Sequence, residues 1–350
     1  MLRVVALTIG VSLSLPLHAE GVRISVFSLF QPQTLVLRAP VGKALRVGAG
    51  PLSRDVEPGA RLELRAAGAG VAFGDAAEGG QAPLITVTAR GGGPASFFLS
   101  VPRRIERRYD GILTVRTVGG RLQAVVACDL ETAVAASVAA ETSPGTPLEA
   151  LKAQAIAARS YYLAVRGAHS GFDFCDTTHC QFFGSPPAPG SAAARAARET
   201  AGIVVSWSGH ILAARYCAAC GGKTRSLRDV GEQPRNYPFY AVDCPPCLNH
   251  EPLWESRLHR EEASSLLHSP GSEGLRMQII RRLGFGALPG NNYTIAAQEG
   301  VLIIRGRGRG HGVGLCQRGA AAFGAAGANF REILARYFPG TDLLSRAGGR

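Results

Sequence analysis

Between residues 21 and 105 apolar and polar positions alternate in short stretches broken by glycine, at 22–29, 34–37, 61–64, 84–89 and 97–101. A period of two predicts strands with one buried face. A hairpin follows, 112–118 against 122–127, across Gly119-Gly120, a pair that accepts the positive φ of a tight two-residue turn. The period then lengthens. Leu130, Val134 and Val138 recur every fourth residue, one face of a helix that starts near Asp129 and is stopped by Pro144. A second helix opens at Thr146-Pro147, with Glu149 set to close a Thr-x-x-Glu capping box, and ends at Gly167. A third, at 191–200, precedes strands at 203–207 and 210–216. A strand at 301–304, a glycine run and helices near Ala320 and at 329–337 complete the pattern. Strands first and helices later predict an α+β chain: a β-rich accessory region over residues 20–105, then a mixed α+β catalytic domain with a substrate cleft over residues 106–345.

Composition supports a folded core, since 46% of the 350 residues are apolar and 18% charged. The first residues read as an export signal over 1–19: Arg3, an apolar stretch from Val4 to Leu15, Pro16, and a cleavage site before Glu20. No later apolar run approaches the roughly 18 residues of a membrane span. The expectation is an exported protein, of the periplasm or cell wall, with no transmembrane segment in the mature chain. The 38 Lys and Arg against 26 Asp and Glu leave a formal charge of +12, and all but Lys43, Lys152 and Lys223 of the basic side chains are arginine. That field favours a polyanion. Aromatic residues are only 7%, with no basic run interleaved with stacking platforms, so no nucleic-acid partner is expected.

Four places could carry chemistry. Glu141 lies on the apolar stripe of the first helix near its C-terminus, where desolvation and the negative end of the dipole both disfavour the carboxylate, the setting of a general acid; a surface glutamate or one paired with arginine fits the position too. His169, Cys175, His179 and Cys180 supply two imidazoles and two thiols in one loop, which suits tetrahedral zinc or a Cys175–Cys180 disulfide. Cys217-x2-Cys220 and Cys244-x2-Cys247 are either a zinc-ribbon pair or disulfides, while Cys128 and Cys316 read as buried small residues. The alternating glycines of 306–314 hold His311 among them and Gln317 just beyond, where backbone can approach a ligand closely.

These residues resemble a known pattern. Leu130-Glu131, Glu141, EALKAQAIAARSY at 149–161, CDTTHCQ at 175–181, Gly202, CGGKT at 220–224 and GHGVGLCQRGA at 310–320 occur in the order of the stage II sporulation protein D family, also known as LytB-like amidase enhancers. The resemblance runs from about Tyr109 to Asp342. It implies a peptidoglycan lytic transglycosylase acting on glycan strands stripped of stem peptides, with Glu141 as catalytic acid and base and an N-acetylmuramoyl-L-alanine amidase as partner. A non-enzymatic wall-binding enhancer of an amidase is the alternative. It also implies structural zinc at His169, Cys175, His179 and Cys180, and a groove formed by Gln154, Arg159, His311 and Gln317. The chain departs from the family at Thr142, at Cys316, and in the Cys217 to Cys247 pairs.

Overall fold

A computed structural model describes residues 21–74, 79–167, 169–234, 237–250 and 253–346. The expected export signal lies outside these residues. Eleven strands come first: β1 (Gly21–Val26), β2 (Thr34–Arg38), β3 (Leu45–Ala49), β4 (Leu52–Val56), β5 (Arg61–Ala67), β6 (Gly70–Phe73), β7 (Gly80–Ala82), β8 (Leu84–Ala89), β9 (Ala95–Val101), β10 (Ile105–Val118) and β11 (Arg121–Asp129). With β12 (Phe174–Cys175) they form one sheet, whose longest path runs β12-β1-β11-β10-β9-β2-β5-β6-β7. The long strand β10 belongs to two halves. Its first part pairs with β9, and its second pairs with β11 on one side and β8 on the other. The change falls at Gly111, where a Cβ would stand 2.4 Å from the Ala127 carbonyl oxygen, so only glycine passes.

The expected boundary at residue 105 coincides with the first residue of β10, and the sheet is hydrogen-bonded continuously across it. One apolar core joins the strands to the helices that follow, with Ile24, Leu37, Val47, Leu64, Val87 and Leu113 packed with Val134, Val138 and Leu151. The α+β class is as expected.

Helix α1 (Leu130–Glu141) is capped by Asp129, whose side chain accepts from the Thr132 N–H, and α2 (Leu148–Ala164) lies against it. The capping box expected on α2 does not form. The Thr146 hydroxyl donates to the Ser143 carbonyl, while Glu149 binds the Lys152 ammonium and the Phe330 N–H, because a backbone N–H from a distant segment and a cation outcompete the local cap. Helix α3 (Ala192–Glu199) precedes β13 (Ile203–Trp207), β14 (His210–Ile211) and β15 (Tyr216–Cys217). A second core forms between α2, these strands and the helices Gln317–Ala325 and Phe330–Tyr337. A third small core underlies the sheet of Trp254–His259, Val301–Arg307 and Asn292–Gln298; much of this unit was unmarked in the sequence. Among the described residues no helix is long and apolar enough to cross a membrane.

Candidate active site

Glu141 is the last residue of α1. The residue keeps some accessible surface, but its Oε2 is buried without a hydrogen-bond partner, and Oε1 accepts the Phe182 N–H at 2.8 Å. Burial pushes the carboxyl up to about 7, against the pull of the Tyr216 hydroxyl and the Phe182 amide. The Tyr216 hydroxyl donates to Gln181 Oε1 at 2.8 Å, and Gln181 Nε2 donates to the Ala158 carbonyl at 3.1 Å. The carboxyl is therefore framed by the 181–182 segment on one side and β15 on the other.

Opposite, Gln317 Nε2 donates to the backbone carbonyl of Glu141 at 3.2 Å, so Gln317 does reach the glutamate, at its main chain. His311 makes no hydrogen bond to Glu141. Its Nδ1 accepts the Val313 N–H at 3.0 Å, which leaves the proton on Nε2. Burial pulls the imidazole down to about 4, so near neutrality His311 is an uncharged N–H donor. It feels the Arg215–Glu232 pair, which is bidentate at 2.9 and 2.7 Å. That pair also acts on Tyr161, and Tyr161 on Tyr216. A cleft of about 890 Å³ opens beside Arg215 and Glu232, lined also by Trp207, His210 and Tyr237; neither Glu141 nor His311 lines it.

Gln154 is buried on α2, and its Nε2 has no partner among the described residues, an unspent donor. Arg159 is not a groove residue. Its side chain is 1% exposed, grips both Glu131 oxygens at 2.7 and 2.6 Å, and donates to the carbonyls of Ala197 at 3.1 Å and Ile203 at 3.0 Å. Its charge is spent tying α1, α3 and β13 together, and no donor face is left for a ligand.

His169, Cys175, His179 and Cys180 are brought together with all ligand atoms within 4.8 Å of one another. The Cys175 and Cys180 sulfurs are 3.5 Å apart, His169 Nε2 is 3.2 Å from Cys180, and His179 Nδ1 is 3.7 and 3.6 Å from Cys175 and Cys180. Zinc bonds of about 2.3 Å to sulfur and about 2.0 Å to nitrogen would require edges of about 3.8 and 3.5 Å. The donor set fits such an ion, and both cysteines are free thiols rather than a disulfide. Contact with the Cys180 thiol pushes Cys175 down to about 4, with Thr177 and His179 adding to it. The loop is moored to the sheet by β12, which pairs with β1, and by Asp176, whose buried carboxylate accepts from the Phe27 N–H at 2.9 Å and from Arg107 at 3.1 Å. Two residues after Cys180 comes Phe182, which holds Glu141. Phe182 and Tyr216 carry no chemical signature of their own and were missed; Gln181 stood inside the CDTTHCQ string without an assigned role.

Glu141 is thus a helix-end carboxyl whose burial keeps a large share of it protonated near neutrality. Residues 118–207 match the family model described as Stage II sporulation protein (SpoIID). It is 29% identical over 234 residues to an uncharacterized protein of Brachyspira hyodysenteriae, covering 58% of this chain and 63% of that one. It is 23% identical over 274 residues to the amidase enhancer of Bacillus subtilis, covering 57% of this chain and 38% of that one. The chain thus spans less than two thirds of the length of either relative.

Proposed function

We propose that this protein acts in the cell wall as a lytic transglycosylase on peptidoglycan strands stripped of stem peptides. The observation that supports this reading is the Glu141 carboxyl, raised to about 7 by burial with Oε2 left unpartnered. The protonated acid gives its hydrogen to the glycosidic oxygen between N-acetylmuramic acid and N-acetylglucosamine, and the C1–O bond breaks. The carboxylate then takes the proton from the muramic C6 hydroxyl as that oxygen bonds C1, closing a 1,6-anhydro ring. The proton is back on Glu141 and no water is consumed. Hydrolysis would need a second carboxylate at a set separation; among the described residues, the groups acting on Glu141 are the Tyr216 hydroxyl and the Phe182 amide. The arginine-rich surface suits the lactyl carboxylates of a stripped strand.

Zinc at His169, Cys175, His179 and Cys180 serves a structural role in this reading, because four protein ligands leave no open position. It would keep the loop rigid and so keep the Phe182 N–H aimed at Glu141. Export and a partner amidase belong to the same proposal.

Incubation of the purified chain with amidase-treated sacculi, followed by mass spectrometry, should yield anhydromuramic ends; reducing ends or no products overturn it. Because the protonated acid starts the reaction, cleavage should fall about tenfold per pH unit above about 7. The name of the Bacillus relative favours a second reading, an enhancer that binds the wall and stimulates an amidase. In that case Glu141→Gln retains full stimulation.

A further inference from the structure

Away from Glu141, five cysteines converge from three segments of the chain. Cys217, Cys220, Cys244, Cys247 and Cys316 are each at most 4% exposed, and all are free thiols. The sulfurs of Cys220, Cys244 and Cys316 lie within 4.8 Å of one another, and the Cys247 thiol interacts with all three. Buried structural cysteines ordinarily pack singly among apolar groups. Here three turn their sulfurs toward one another, and a fourth, Cys247, interacts with each of them.

The surroundings are built for negative sulfur. Cys316 Sγ accepts the N–H groups of Cys220 and Gly319, each at 3.3 Å, and Cys247 Sγ accepts the Gly221 N–H at 3.2 Å. The Cys244 sulfur is 3.1 Å from the Tyr337 hydroxyl. A neutral thiol is a weak acceptor, whereas a thiolate gains from each such donor. Cys316 also caps the helix Gln317–Ala325, where the positive end of the dipole favours a thiolate. Glycine is required at 319, since a Cβ there would stand 2.3 Å from the Cys244 sulfur and 2.1 Å from the Tyr337 hydroxyl. Three clustered thiols with a fourth beside them in a dry pocket, met by N–H donors, match a metal centre better than an apolar core.

We propose that Cys220, Cys244, Cys247 and Cys316 hold a thiophilic divalent cation of the zinc class in a closed four-thiolate site. Cys217, paired in register with Cys316 across a parallel bridge, acts on the Cys316 thiol and is not in the group of three close sulfurs, so it is left out of the set. The ion's role is structural: it ties the strand Leu315–Cys316, and with it Gln317, to the segment between β15 and the helix Pro245–His250. The assignment rests on these side chains and not on the proposed reaction.

The test uses the full chain carrying Cys180→Ser, which removes a ligand from the His169 cluster. This protein should retain one equivalent of zinc by elemental analysis. Replacing that zinc with cobalt should produce intense thiolate-to-cobalt charge transfer. Adding Cys244→Ser should abolish the bound metal, and adding Cys217→Ser should leave it. Should the Cys244 variant not fold, the wild-type chain decides by alkylation mapping under native conditions. Cys220, Cys244, Cys247 and Cys316 should be protected until a chelator is added. A Cys180→Ser chain without metal, a disulfide joining any two of the four, or loss of the metal with Cys217→Ser overturns the assignment.

Discussion

Two groups of sulfur and nitrogen donors bracket Glu141, and they are built in opposite ways. The His169–Cys180 group is local, its ends 11 residues apart in one loop, with His179 exposed and only Cys175 buried. The Cys220–Cys316 group spans 96 residues, lies in the dry second core and has sulfur alone. Each reaches the glutamate by a single hydrogen bond: the first through the Phe182 N–H to the side chain, the second through Gln317 to the main-chain carbonyl. The difference separates two tasks. The outer loop touches the carboxyl, whose proton affinity burial raises, and the segment after the inner cluster touches the main chain at the end of α1.

The largest effect should come from removing the group they share. Glu141→Gln keeps the shape and the acceptor for Phe182 but cannot give a proton, so cleavage should fall by about 10² to 10⁴-fold while strand binding persists, measured on stripped sacculi. Full activity in that variant breaks the assignment of Glu141. The two donor groups should next differ in their weight for folding. Cys244→Ser, in the buried group, should cost about 2–4 kcal/mol, and His179→Ala, in the exposed loop, about 1 kcal/mol, by denaturant unfolding. Equal costs would erase the contrast.

The proton on Glu141 has its own signature in stability. The folded carboxyl binds its proton more tightly than the unfolded one, whose value is 4.5. Its contribution to stability is therefore fully present below about 4.5 and is lost as pH rises through about 7. The wild type should lose about 3 kcal/mol over that window relative to Glu141→Gln. A parallel pH profile in both proteins would show the carboxyl to be solvated. Smallest is Gln317→Ala, which removes one hydrogen bond to the Glu141 carbonyl, about 1 kcal/mol. It should lower cleavage several-fold without moving the pH at which activity falls, because it leaves the carboxyl's own partners in place.

Local signals in the chain carried a large part of the fold and the site. The period-four stripe and Asp129 cap specified α1 and put Glu141 at its end; the Gly119-Gly120 turn, with φ of 57° and 73°, specified the β10–β11 hairpin. His169 to Cys180 was readable as a donor set because its members sit close in sequence. Arg159 was misread for the complementary reason. Its charge suggested a ligand, and only the assembled helices reveal Glu131 and two carbonyls waiting for it. Cys316 looked like an isolated small residue until the fold set it beside Cys220 and Cys244.

What the amino-acid sequence determined by itself was therefore whatever depends on neighbours within a few residues: helix ends, tight turns, a local loop of sulfur and nitrogen donors and the position of Glu141. Tertiary structure alone decided the proton affinity of Glu141, the burial of Arg159, the amide of Phe182, and the meeting of four thiols. Desolvation and hydrogen bonding are properties of an enclosure, and an enclosure exists only after distant segments have packed around it.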